Sequence, residues 1–102
     1  MDTMSQVEDE NRLRELLNSQ HEFPCDYSFK VICRNAPGVQ ESIIAGLRER
    51  TGLALVLGEN GMKASRKGNY VSLTLTLHAN LADDVLDVYA QLRTFESVLQ
   101  YF

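Results

Sequence analysis

The chain has 102 residues, 44% apolar and 24% charged, with a formal net charge of −4. That is enough for one domain with one modest core, while no apolar run approaches the roughly 20 residues of a membrane helix. A phosphate-gripping domain carries a clear positive surplus, so the acidic balance makes nucleic acid an unexpected partner.

Residues 1–10 are acidic, without the basic and apolar regions of a signal peptide, which points to a cytoplasmic protein with no membrane association. No periodicity marks these ten residues, and mobility is expected there. In 10–20, "ENRLRELLNSQ", Leu13, Leu16 and Leu17 fall at i, i+3, i+4 and predict a short helix that must dock to persist. Phe23-Pro24 closes it, so 1–22 reads as an acidic N-terminal segment with a short helix and 23–102 as the domain proper.

"DYSFKVICR", 26–34, alternates as a half-buried strand: Tyr27, Phe29, Val31 and Cys33 face one way, Ser28, Lys30 and Arg34 the other, with Ile32 out of pattern. Cys33 then reads as an inert buried thiol. A disulfide with Cys25 is excluded, because eight strand residues span on the order of 26 Å. With no C-x-x-C pair and isolated histidines, His21 and His78, no metal site and no cofactor are expected.

"NAPGVQESIIAGLRERTG" predicts a helix with Pro37 in its first turn, a buried stripe of Val39, Ile43, Gly46 and Leu47, cations at its C-terminal end, and Gly52 as its stop. Gly46 suggests a close approach of this helix to a sheet. "LALVLGE", 53–59, reads as a short strand and "NGMKASRKG" as a loop. "NYVSLTLTLHA" is the strongest strand, with Val71, Leu73, Leu75 and Leu77 inward. Asn80 is the expected cap of a second helix, with Asp83 in capping-box position and a stripe of Val85, Val88, Tyr89 and Leu92. Residues 95–102 predict a last strand. The order β-α-β-β-α-β implies an α+β, ferredoxin-like sandwich: a four-stranded antiparallel sheet with two helices on one face.

Three function classes can be weighed on this frame. An RNA-binding sheet wants aromatics on the open face of its first and third strands; Ser28, Lys30, Ile32, Ser72, Thr74 and Thr76 stand there, with only Tyr70 able to stack. An acylphosphatase-like phosphatase would use Arg34 and Asn35, but "RNAPG" lacks a glycine-rich phosphoryl cradle. No nucleophile–base set or paired carboxylates stand out, and no catalytic residue is assigned. The third class is a non-catalytic regulatory module. Pro37-Gly38-Val39 with Ile43 resembles the start of the first helix in ACT domains, which take small effectors there, often at a dimer interface. A homodimer, through the open face or a sheet edge, is expected on this reading.

Ser65, Lys67-Gly68-Asn69-Tyr70, Ser72 and Thr74, together with "LLNSQHEFPCDYSFKVI", resemble the YbeD-like family of small bacterial proteins over most of residues 13–102. The resemblance implies an ACT-like fold, no catalytic residues, and a lipoate-regulatory label without a ligand. The expectation is a non-catalytic cytoplasmic regulatory or adaptor module that binds a small molecule or a protein partner. Its binding candidates are Ser65, Lys67, Gly68, Asn69, Tyr70, Ser72, Arg34, Pro37 and Gly38. The cations Lys63, Arg66 and Lys67 could form an anion nest with Gly68-Asn69; a solvated hairpin loop explains them more simply, with Asn69 bonding the loop backbone and Tyr70 covering the sheet end.

Overall fold

Alternating apolar residues at 27–33 and 71–77 build the centre of the molecule. In the computed structural model, which describes residues 3–102, with side chains described from residue 9 on, β1 (Cys25–Arg34) and β3 (Tyr70–Ala79) pair antiparallel over ten positions, from Cys25 opposite Ala79 to Arg34 opposite Tyr70. The edge strands are β2 (Val56–Ala64) and β4 (Val98–Tyr101), in the order β2-β3-β1-β4. Phe29, Val31, Cys33, Val71, Leu73, Leu75 and Leu77 are buried beneath α2 (Val39–Thr51) and α3 (Ala82–Leu92), which add Ile43, Leu47, Val85, Val88 and Leu92 to the same core. This is the expected ferredoxin-like, ACT-like α+β sandwich. Burial raises the pKa of the Cys33 thiol, as the alternation implied.

The N-terminal helix, α1 (Thr3–Gln20), packs on α3 and starts well before the leucine stripe. No proline or glycine interrupts residues 3–20, so backbone propensity extends the helix beyond its docked turn. The expectation of mobility extends to residues 1–2, which lie outside the described residues. Only Leu17 of the stripe is buried; Leu13 and Leu16 are each 50% exposed.

Four local expectations are corrected. Pro37 lies outside α2: Pro37-Gly38 are the central residues of a type II turn, with Gly38 at φ 80°, ψ −8° and the Val39 N–H donating to the Ala36 carbonyl at 3.2 Å. The helix therefore begins at Val39. The loop expected from Asn60 is mostly strand. Leu57 pairs with Leu75 and Met62 with Leu73, so 58–61 bulge opposite Thr74 alone. A side chain at Gly61 would sit 2.7 Å from the Gly58 oxygen and 2.9 Å from that of Thr74, which explains the glycine and lets β2 resume through Lys63 and Ala64.

The cap of α3 is shifted by one residue. Leu81 is the N-cap, and the Asp84 carboxylate accepts the N–H groups of Asn80 and Leu81 at 3.0 and 3.3 Å. Asp83, the expected capping acid, instead pairs with Arg14 of α1. Finally, β4 is shorter than expected because Phe95 is engaged elsewhere. Its ring lies where a Gly46 Cβ would stand, 2.8 Å from that position, with the Arg50 guanidinium 4.5 Å from the ring centroid. Gly46 admits a phenyl ring from the loop after α3, not the sheet.

Candidate functional site

The residues singled out by sequence converge on one end of the sheet. Arg34 ends β1 opposite Tyr70, the first residue of β3. The chain between β2 and β3 is a tight hairpin closed by Ser65. Its N–H donates to the Tyr70 carbonyl at 2.8 Å, its Oγ accepts the Tyr70 N–H at 3.1 Å, and its carbonyl accepts the Gly68 N–H at 2.9 Å. Gly68, at φ 77°, completes the reversal in a backbone region open to glycine.

Asn35 ties this hairpin to the rest of the fold. Its backbone N–H donates to the Asn69 carbonyl at 3.0 Å and its Nδ2 to the Gly68 carbonyl at 2.8 Å, while its Oδ1 accepts from Gln40 Nε2 at 3.2 Å. Gln40, in the first turn of α2, is only 8% exposed, so this bond satisfies a buried amide. The expected role of Asn69 thus belongs to Asn35 as far as the side chain is concerned; Asn69 supplies a main-chain carbonyl. The turn chemistry also bears on the nest reading, because the Gly68 N–H turns inward to Ser65. The phosphatase reading loses its water-orienting amide for the same reason: both ends of the Asn35 side chain hold backbone and Gln40.

On the open face beside this knot lies a shallow depression of about 410 Å³, lined among others by Lys30, Ile32, Lys63, Ser65, Tyr70 and Ser72. The register explains the grouping, since Ser72 stands between Ile32 of β1 and Lys63 of β2. Ser65, Tyr70 and Ser72 of the sequence candidates line it; Arg34, Pro37, Gly38, Lys67, Gly68 and Asn69 lie outside its lining. Lys30 and Ile32 were not singled out as site residues, and Lys63 was weighed only as a hairpin-loop cation. The signal was present for Ile32, an apolar residue at a solvent-side position of an otherwise clean alternation. For Lys63 the bulge hid its place on a strand beside Ser72, because it made a strand look like a loop.

Charge is sorted toward this end of the molecule. Lys30, Arg34, Lys63, Arg66 and Lys67 are five of the ten Lys and Arg, and neither 27–40 nor 60–82 contains an Asp or Glu. At the opposite end of the open face, His78 Nδ1 and Asp26 Oδ1 are 2.9 Å apart, both well exposed, a pairing of small energetic weight.

Beneath the sheet a second grouping was not anticipated. Tyr27 and Tyr89 share a hydrogen bond of 3.0 Å between their hydroxyls, and Phe29 meets Tyr89 edge-on at 5.1 Å. Burial, reinforced by the bond to Tyr27, raises the Tyr89 pKa well above the ordinary tyrosine value. An apolar groove of about 420 Å³ runs between this pair and the half-exposed Leu13 and Leu16. A wider cleft of about 660 Å³ is lined by Asn18, His21 and Phe23 on one side and by Asn80 to Asp83 on the other, with the Arg14–Asp83 ion pair in its wall. Among the described residues no three His, Cys, Asp or Glu side chains are grouped to hold a metal, and no helix is long and apolar enough to cross a membrane.

Strand order, the turn before α2 and the asparagine-pinned hairpin define a small ferredoxin-like domain of the ACT-like kind. The particular family follows from comparison: the model described as "Protein of unknown function (DUF493)" matches residues 18–101, and the chain belongs to that family, the YbeD-like one its motifs resemble. Relatives include a UPF0250 protein of Vibrio cholerae, 28% identical over 97 residues, covering 93% of this chain and 96% of the relative. A UPF0250 protein of Yersinia pestis is 30% identical over 88 residues, covering 84% and 95%. One from Paraburkholderia phytofirmans is 31% identical over 81 residues, covering 72% and 82%.

Proposed function

We propose that this protein is a non-catalytic regulatory or adaptor module of the cytoplasm, which binds its partner at the hairpin end of the open sheet face. One observation carries the reading: the cationic, apolar-floored depression lies beside the Asn35 knot, where the fold holds Ser65 and Tyr70 in fixed positions. The depression is too shallow to enclose most of a small ligand, as small-molecule pockets do, which favours a protein partner over a metabolite. The lipoate-regulatory label carried by the YbeD resemblance makes lipoate metabolism the first setting in which to look for that partner. Self-pairing at a sheet edge would leave this face free, and light scattering at micromolar concentration tests it; monomer alone removes the homodimer.

The test of the binding face is affinity capture from the native cell, run beside a thermal-shift metabolite screen. The expected result is a partner captured by the natural protein and lost with Lys30→Glu/Lys63→Glu, whose melting temperature should be unchanged. Unchanged capture by that variant, or a metabolite that shifts the melting temperature with no protein captured, would overturn the reading.

A further inference from the structure

We infer that the occupant of the open-face depression is an acidic segment of a partner protein, anchored by one or two apolar side chains. The inference rests on the binding face proposed above and adds the chemistry of what it takes. The floor is apolar, with Ile32 from β1 and the Tyr70 ring from β3, and Ser65 and Ser72 supply hydroxyls between them. Two lysines, Lys30 on β1 and Lys63 on β2, also line the depression. Arg34 lies opposite Tyr70 in the sheet, and Arg66 and Lys67 stand on the hairpin tip closed by Ser65.

Carboxylates are scarce among these cations. Residues 27–40 and 60–82 are free of them. The acids near this end are Glu41, which follows the Gln40 bonded to Asn35, and Glu96, next to the Ser97 whose carbonyl accepts the Arg34 N–H; neither is among the residues lining the depression. Among the described residues none of these cations is held in an ion pair, and this end carries positive charge in a protein of net charge −4. Such a face attracts anionic segments and, by its sign, rejects basic ones.

The same charge could attract RNA, but the lining argues for protein. An RNA-reading sheet stacks bases on successive aromatics, whereas here Lys30, Ile32, Ser72 and Thr74 stand at the central positions of β1 and β3, and Tyr70, the first residue of β3, has no second aromatic beside it on that face. An apolar floor with two lysines in its lining suits a Leu or Phe side chain flanked by Asp or Glu. The anchor buries apolar surface, and the carboxylates meet ammonium groups at the rim, where they set orientation and encounter rate more than affinity.

The test uses the full chain, labelled with 15N, in amide-shift titrations at low salt. Four probes are compared: a dodecapeptide with a central Leu-Phe pair flanked by glutamates, the same peptide with lysines, a glutamate-only dodecapeptide, and a twelve-nucleotide single-stranded RNA. The expected result is saturable shifts at Lys30, Ile32, Lys63, Tyr70 and Ser72 with the first probe. Its affinity should be at least about tenfold above the others and fall with added salt. Lys30→Gln/Lys63→Gln should weaken it by about tenfold, with the remaining amide spectrum unchanged.

No shifts at these residues, equal binding of the glutamate-only peptide, or tighter binding of RNA would overturn the inference. So would shifts at the same residues on raising protein concentration without peptide, since a second copy would then be the occupant. A partner captured in cells by the open face while the acidic peptide fails would remove the acidic-segment inference and leave the binding face standing. Peptide binding at these residues without cellular capture would leave the face and the acidic-segment inference standing and remove the adaptor role proposed for the face in the cell.

Discussion

Asn35 is the residue on which the candidate site turns. It joins the last position of β1 to the hairpin and to the buried Gln40 by three hydrogen bonds. Asn35→Ala removes two of them and leaves the Gln40 amide without its partner, an expected loss of about 1–2 kcal/mol in urea unfolding. Asn35→Asp keeps the acceptor for Gln40 and loses the donor to Gly68, so it should fall between. Asn69→Ala keeps the carbonyl that Asn35 uses and should change stability by less than about 0.5 kcal/mol. A larger effect at Asn69 than at Asn35 would reverse this assignment. Which of the two asparagines holds the loop was not legible in the sequence. Both are turn formers, and only the pairing of Arg34 with Tyr70 shows that the first reaches the second's loop. Tyr89 gives a second residue-level expectation. Its pKa is raised in the fold by burial, so above about pH 10, the ordinary tyrosine value, the unfolded chain loses its proton first. Tyr89 therefore stabilises fully below that pH and progressively less as pH rises. Unfolding midpoints measured from pH 8 to 11 should fall, and Tyr89→Phe should flatten that part of the decline.

Among the elements, α2 and β2 show why alternation and periodicity located the secondary structure better than its joints. The apolar stripe of α2 placed Ile43 and Leu47 in the core correctly, because helical spacing is a property of the segment alone. What Gly46 accommodates is not: Phe95 lies 49 positions on, and no local rule links them. Gly46→Ala should gain nothing in the natural protein, since about 1 kcal/mol of helix propensity is opposed by contact with the Phe95 ring. In a Phe95→Ala background the same substitution should stabilise by about that amount; urea midpoints of the four chains test it. A stabilising Gly46→Ala with Phe95 in place would show that the ring yields freely. In β2, Gly61 read as a loop residue, and Gly58 as the near end of a strand, because bulge and loop use the same glycines. Only the partner strand, with Thr74 facing four residues, distinguishes them. The one-residue shift at the α3 cap has a related cause, since Asp83 and Asp84 are equally good first-turn acids and Arg14 on another helix draws one of them away.

At the scale of the whole molecule, the order of elements was legible, because β1, β3 and the domain helices carry their own periods and the crossover rules leave few arrangements. The site was legible in part. Sequence pointed to the hairpin motif and the Pro-Gly turn as separate places; the antiparallel register makes them neighbours. The lysines of the depression come from β1 and from the resumed half of β2, a juxtaposition that no linear window contains. The resulting molecule is acidic overall yet positive at one end of one face, with both domain helices on the other side of the sheet. The central claim, that this end of the open face is the binding surface, is most directly tested by photo-cross-linking in the native cell. A photoreactive side chain is placed at Ser72, within the depression, or at Glu49, exposed on α2. The expected result is a discrete adduct from position 72 that disappears with Lys30→Glu/Lys63→Glu, and none from position 49. An adduct from position 49 alone, or one from position 72 that survives the charge reversal, would contradict it.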